Sequence, residues 1–100
     1  MSDSAACFRK KGEFAARSIA GEMIIVPVRG QVGDLDSIYN LNEVGAFIWE
    51  RIDGRTTAGE IVEAVGSEFE VAAGEAERDT FEFLAGLEKA GIVERTGPDS

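Results

Sequence analysis

A small α+β fold, a three-stranded antiparallel sheet followed by three helices, is what this sequence predicts. Three observations carry the prediction. Two β-forming runs, Phe14–Ile19 and Met23–Val28, are joined through Gly21, as in a hairpin. Beyond Asn42 the apolar residues recur at three- and four-residue steps, the helical period. Cap and stop residues then cut that second half into three helices of ordinary length. A chain of 100 residues, 44% of them hydrophobic, suits one domain with its own core.

In the first strand pair, Gly21 supplies the positive φ of a tight turn, and Met23–Val26 is apolar and largely β-branched, as a buried strand requires. Pro27 lacks an N–H and belongs at an edge or a strand end. Residues 29–36 read as a loop punctuated by Gly30 and Gly33, and Ser37–Leu41 as a short third strand. Asn42 caps a first helix expected over Glu43–Ile52, with Val44, Phe47, Ile48 and Ile52 on one face. Gly54 ends it. Thr57 and Glu60 form a capping box that opens the second helix, whose stripe is Ile61, Val62, Val65 and Phe69 and whose expected end is Gly66. The third helix is expected from Gly74 to Ala90, with Ala76, Thr80, Phe83, Leu84 and Leu87 inward and Gly91 as its stop. Ile92 and Val93 return as a short extended segment. Residues 1–13 and 94–100 are read as flexible tails flanking a domain over 14–93.

Composition excludes several chemistries. The chain has no histidine and a single cysteine, Cys7, so Cys/His zinc sites, intrachain disulfides and His-based catalysis are absent. No phosphate-binding glycine loop or calcium loop is present. Glu75, Glu77 and Asp79 read as charge complementing a helix N-terminus, and Thr56-Thr57 as a cap and not a nucleophile pair. No catalytic, cofactor-binding or metal-ligating residue is assigned. Cys7 reads as an idle reduced thiol. No secretory signal or membrane-length apolar run is found, and a cytoplasmic protein is expected.

The net charge of −9 is unevenly distributed: residues 1–30 carry +2 and residues 31–100 carry −11. Such a surface opposes nucleic-acid binding and suits a basic peptide. A three-stranded sheet has edges with unpaired backbone groups, a template for strand addition. Phe81 stands off the main stripe of the third helix, either at the core edge or as an exposed anchor. Gly45 inside a helix reads as a site of close packing.

The stretch Tyr39-Asn40-Leu41-Asn42-Glu43-Val44-Gly45-Ala46-Phe47-Ile48-Trp49-Glu50-Arg51-Ile52-Asp53-Gly54, continued by Thr56/Thr57, Glu60-Ile61, Asp79, Phe83-Leu84, Leu87 and Gly91, resembles the PqqD-like family, named for pyrroloquinoline quinone biosynthesis protein D. Upstream, Arg17, Ala20-Gly21-Glu22 and Val26-Pro27-Val28 fit as well, so the resemblance spans residues 14–93. One departure is Thr80, where a small aliphatic residue is more typical. The resemblance implies a winged-helix-like domain that binds the leader of a ribosomally made precursor peptide and presents it to a modifying enzyme. In the quinone pathway that enzyme is a radical S-adenosylmethionine protein. It implies that the peptide adds to the third strand in a groove walled by the third helix. Ser37, Ile38, Tyr39, Thr80, Phe81, Leu84 and Glu88 are the candidate peptide-binding residues, and no cofactor, nucleic acid or membrane is expected. A winged-helix transcription regulator and a dimerisation module of a larger complex are the alternatives, and homodimerisation stays open at this point.

Overall fold

A computed structural model describes residues 5–29 and 39–96. In chain order the elements are β1 (Phe8–Lys10), β2 (Glu13–Ile19), β3 (Glu22–Arg29), β4 (Tyr39–Leu41), α1 (Glu43–Trp49), α2 (Ala58–Phe69), α3 (Ala73–Ala90) and β5 (Val93–Arg95). The expected three-stranded antiparallel sheet is present with order β2-β3-β4, and β1 and β5 form a second, two-stranded antiparallel ribbon. Of the expected loop over 29–36, Arg29 ends β3 and residues 30–36 lie outside the described residues, as do the first two residues of the expected third strand, Ser37 and Ile38, and residues 97–100.

The hairpin turns in two residues. Ile19 and Glu22 pair across it, and Ala20 and Gly21 between them have φ of 52° and 85°. Positive φ at both central positions matches the twist of the flanking strands, and Gly21 takes it without strain. Strand alternation sends Met23, Ile25 and Pro27 inward, all buried, while Ile24 and Val26 occupy the opposite face.

The helices begin where the sequence says and end elsewhere. The Asn42 side chain accepts from the Gly45 amide at 2.8 Å, capping α1. α1 ends at Trp49 and not at Ile52, because the Arg51 and Ile52 amides bond the carbonyls of Ile48 and Trp49, tightening the last turn out of α geometry. Ile52 remains buried in that turn. The capping box of α2 forms in both directions, Thr57 oxygen with the Glu60 amide and Glu60 carboxylate with the Thr57 amide. α2 runs through Gly66 to Phe69 and stops at Glu70, which adopts the left-handed conformation and donates its amide to the Gly66 carbonyl. Gly91 stops α3 as expected, at φ 83°.

The N-terminal segment is the main correction. It was expected as a tail, but residues 5–13 contain β1, which pairs with β5 in the register Phe8 with Arg95 and Lys10 with Val93. Phe8 is 2% exposed and belongs to the core. The Ala58 amide bonds the Ala6 carbonyl and the Gly54 amide bonds the Phe8 carbonyl, so this strand also ties the α1–α2 turn. Lys10 lies over the Trp49 ring, 4.5 Å from its centroid, and Phe14 meets the same ring edge-on at 5.2 Å. Burial lowers the Lys10 pKa below its usual value, against the raising influence of Glu50 and Asp53. The expected C-terminal tail likewise begins later, since Glu94 and Arg95 belong to β5 and Glu94 pairs with Arg9.

The core joins both halves: Met23, Ile25 and Leu41 from the sheet, Ile48 and Trp49 from α1, Ile61 and Val65 from α2, Leu84 and Leu87 from α3, and Phe8 and Val93 from the ribbon. No helix among the described residues is long and apolar enough to cross a membrane.

Candidate functional site

β4 is three residues long and pairs with β3 through Leu41 with Met23, Asn40 with Ile24 and Tyr39 with Ile25. Its other edge has no strand partner among the described residues. The backbone N–H and C=O groups along such an edge seek partners, so a short extended peptide can complete the ladder. Tyr39 and Leu41 share the inward face with Met23 and Ile25, whereas Asn40 shares the outer face with Ile24.

α1 follows β4 after the single capping residue Asn42 and packs on β3, β4 and α2. α3 packs on α2 and β5, and it reaches α1 through Phe83. A Cβ added to Gly45 would lie 2.9 Å from Phe83 Cε1 and 3.4 Å from Leu41 Cβ. That separation from the ring is too short for two carbon atoms. The expected close packing at Gly45 is therefore found, and its partner is the Phe83 ring. Beside this contact lies a depression of about 410 Å³, walled by Asn42, Val44 and Ile48 on one side and Asp79, Glu82 and Phe83 on the other.

The structure separates the residues singled out from sequence into groups. Tyr39 is half-buried on β4. Ser37 and Ile38 are not among the described residues. Thr80 and Leu84 are 0% and 1% exposed on the inward stripe of α3, with Ala76 and Leu87. Ala76 on that stripe lies 3.8 Å from where a Cβ on Gly66 of α2 would stand. Thr80 and Leu84 are thus core residues that offer no surface. The Thr80 hydroxyl is buried without a hydrogen-bond partner among the described residues, an unsatisfied group at the very position where the sequence departs from the family pattern. Phe81 is half-buried: one side of its ring packs against the core and part of it stays at the surface. Glu88 faces the ribbon and pairs with Arg95 at 3.4 Å.

Sequence reasoning placed Phe83 in the core stripe and did not connect it to Gly45. It also passed over Asn42, Val44 and Glu82 as lining residues. One signal was available: a glycine within the first turn of a short helix, at a cost of up to about 1 kcal/mol, needs a neighbour that excludes a side chain. Which neighbour does so is not encoded locally.

On a different side, the outward face of the hairpin is covered by no element among the described residues. Ile19 and Val28 are 52% and 57% exposed there, and Ala15, Arg17, Ile24 and Val26 border a shallow apolar hollow. Asp53, in the α1–α2 turn, accepts from the amides of Thr56 and Arg55 at 2.8 and 2.9 Å. Those amides, Thr56 first, hold its carboxyl below the usual carboxylate range.

Comparison with known proteins places this geometry. A family model described as "Coenzyme PQQ synthesis protein D (PqqD)" matches residues 22–93, from the start of β3 to the start of β5. Two solved structures are similar. One is TbiB1 in complex with the TbiA(beta) leader peptide, 24% identical, covering 86% of this chain and 94% of that chain, with a TM-score of 0.68. The other is lasso peptide synthetase B1 complexed with the leader peptide, 23% identical, covering 87% and 96%, with a TM-score of 0.70. At these identities the likeness is one of fold. No curated protein matches the chain.

Proposed function

This chain belongs to the coenzyme PQQ synthesis protein D family, and we propose that it binds the leader of a ribosomally made precursor peptide and presents that peptide to a modifying enzyme. The single observation that carries the reading is the β4 edge: a short strand paired on one side only among the described residues, adjoining the capped start of α1 and the wall made by α3. Strand addition there would supply affinity through main-chain hydrogen bonds, and side chains flanking the edge would supply selection. Both structurally similar proteins bear names that describe them bound to a leader peptide, which supports the same reading here.

The role is non-catalytic. The chain holds and orients, and the covalent chemistry belongs to its partner, a radical S-adenosylmethionine enzyme in the quinone branch of the family or another peptide-modifying enzyme elsewhere. Tyr39 and Phe81, each half-buried, have surface to offer the peptide, while Thr80 and Leu84 act only by shaping α3 from beneath.

The test is a titration of the isotope-labelled protein with the precursor leader encoded beside its gene, followed by nuclear magnetic resonance. Amides of Tyr39–Leu41 and of α3 should shift, and those of β4 should exchange more slowly with solvent. Shifts confined to the β2–β3 hairpin or to α2 would overturn the assignment of the site.

A further inference from the structure

We infer that the peptide this site accepts carries a lysine or arginine at one fixed position, seated in the depression between α1 and α3; the inference rests on the peptide-binding reading above. The depression has two kinds of lining. Val44 of α1 and the Phe83 ring, each half-buried, make it apolar, and Ile48, wholly buried one turn on from Val44, packs beneath them. Asp79 and Glu82 are one turn apart on α3 and set two carboxylates on the facing wall. Asn42 completes the lining beside Gly45, its side-chain oxygen already engaged by the Gly45 amide.

An apolar floor beneath a carboxylate rim complements a long side chain with a methylene stem and a cationic end. An uncharged apolar side chain would fill the floor but draw the carboxylates out of water without a partner. An acidic one would be repelled. Among the described residues, no basic side chain lines the depression. The ion pair that Asp79 makes, with Arg78 at 3.9 Å, joins side chains 69% and 43% exposed, so it holds Asp79 only weakly and yields readily to a guest.

The depression is also continuous with the strand edge. Asn42 directly follows β4, and a Cβ on Gly45 would stand 3.4 Å from Leu41. A strand added along β4 would reach the depression at the Asn42 end of that edge, where one of its side chains can enter. The net charge of −9 favours the approach of such a peptide at long range.

The experiment selects ligands from a phage library of random dodecapeptides on the immobilised full chain, in parallel with the Asp79→Asn/Glu82→Gln variant. Both positions are on the surface of α3, and the variant should melt with the parent. Peptides selected on the parent should share one Lys or Arg at a constant spacing from their apolar residues, and peptides selected on the variant should lack it. In calorimetric titration of the best parent-selected peptide, replacing its basic residue by norleucine should weaken binding to the parent about two- to thirtyfold, the range expected for two exposed ion pairs. The same replacement should leave binding to the variant unchanged. Binders without a shared basic residue, or with one that is equally important to the variant, would overturn the inference and leave peptide binding standing. Recovery of no binder on either protein would remove the peptide-binding reading, and the inference with it.

Discussion

Phe8, Ile61, Val65, Leu84 and Val93, on the helical side and its ribbon, are all 2% exposed or less, whereas on β2 only Phe14 is even half-buried. The two regions both contain β-branched and aromatic residues. They differ in how many faces are covered. α2 and α3 bury their stripes against one another, and the β1–β5 ribbon packs beneath them, so each inward residue is enclosed by several elements. The three-stranded sheet rests one face on α1, and no element among the described residues covers the other. Its free groups, both backbone edge and apolar side chains, are where a partner can add area or hydrogen bonds without displacing anything. Stability resides in one region and availability in the other.

The comparison breaks most visibly in the core. Leu84→Ala should destabilise the fold by about 2–5 kcal/mol, and Phe8→Ala by about 3–5 kcal/mol, both read by chemical denaturation. A wild-type midpoint for Phe8→Ala would show that the N-terminal strand does not belong to the folded body. Thr80→Val sharpens the same region with the opposite sign. Removing a buried hydroxyl that lacks a partner should stabilise by up to about 1 kcal/mol. A lower melting temperature for this variant would mean that the hydroxyl is bonded within α3.

Acid probes the turn between α1 and α2. The carboxyl pKa of Asp53 is lower in the folded protein than in the unfolded chain, so its contribution is complete above the ordinary value of 3.8. It is lost as the pH falls through the lower, folded value. Asp53→Asn should therefore flatten the fall of stability measured by thermal melts below pH 4, and an unchanged pH profile would contradict the role given to the Thr56 and Arg55 amides. The smallest effect is expected on the hairpin. Ile19→Ser, at an exposed position, should stay within about 0.5 kcal/mol of the parent. A cost as large as that of Leu84→Ala would show that the outward sheet face is covered after all.

Local chemistry alone determined much of this protein. Capping requires particular side chains within three residues of a helix start, so Asn42 and the Thr57–Glu60 box were readable one at a time, as were the Gly21 turn and the Gly91 stop. The inward stripe of α3 was readable because a helical period repeats over 18 residues. The edge strand was legible in part, through Tyr39–Leu41. Tertiary structure decided the rest. β1 spans three residues with one large apolar side chain, too short for any period to register, and it is a strand only because β5, 85 residues away along the Arg9–Glu94 pair, offers it a ladder. Glu70 is left-handed at the end of α2, where local preference would place a glycine, because packing of α3 against α2 sets where the chain must turn. The depression that gives the site its chemistry arises from the approach of Phe83 to Gly45, and neither residue specifies the other in sequence. Periodicity and capping are properties of neighbours along the chain, whereas a groove is a property of surfaces brought together by burial elsewhere.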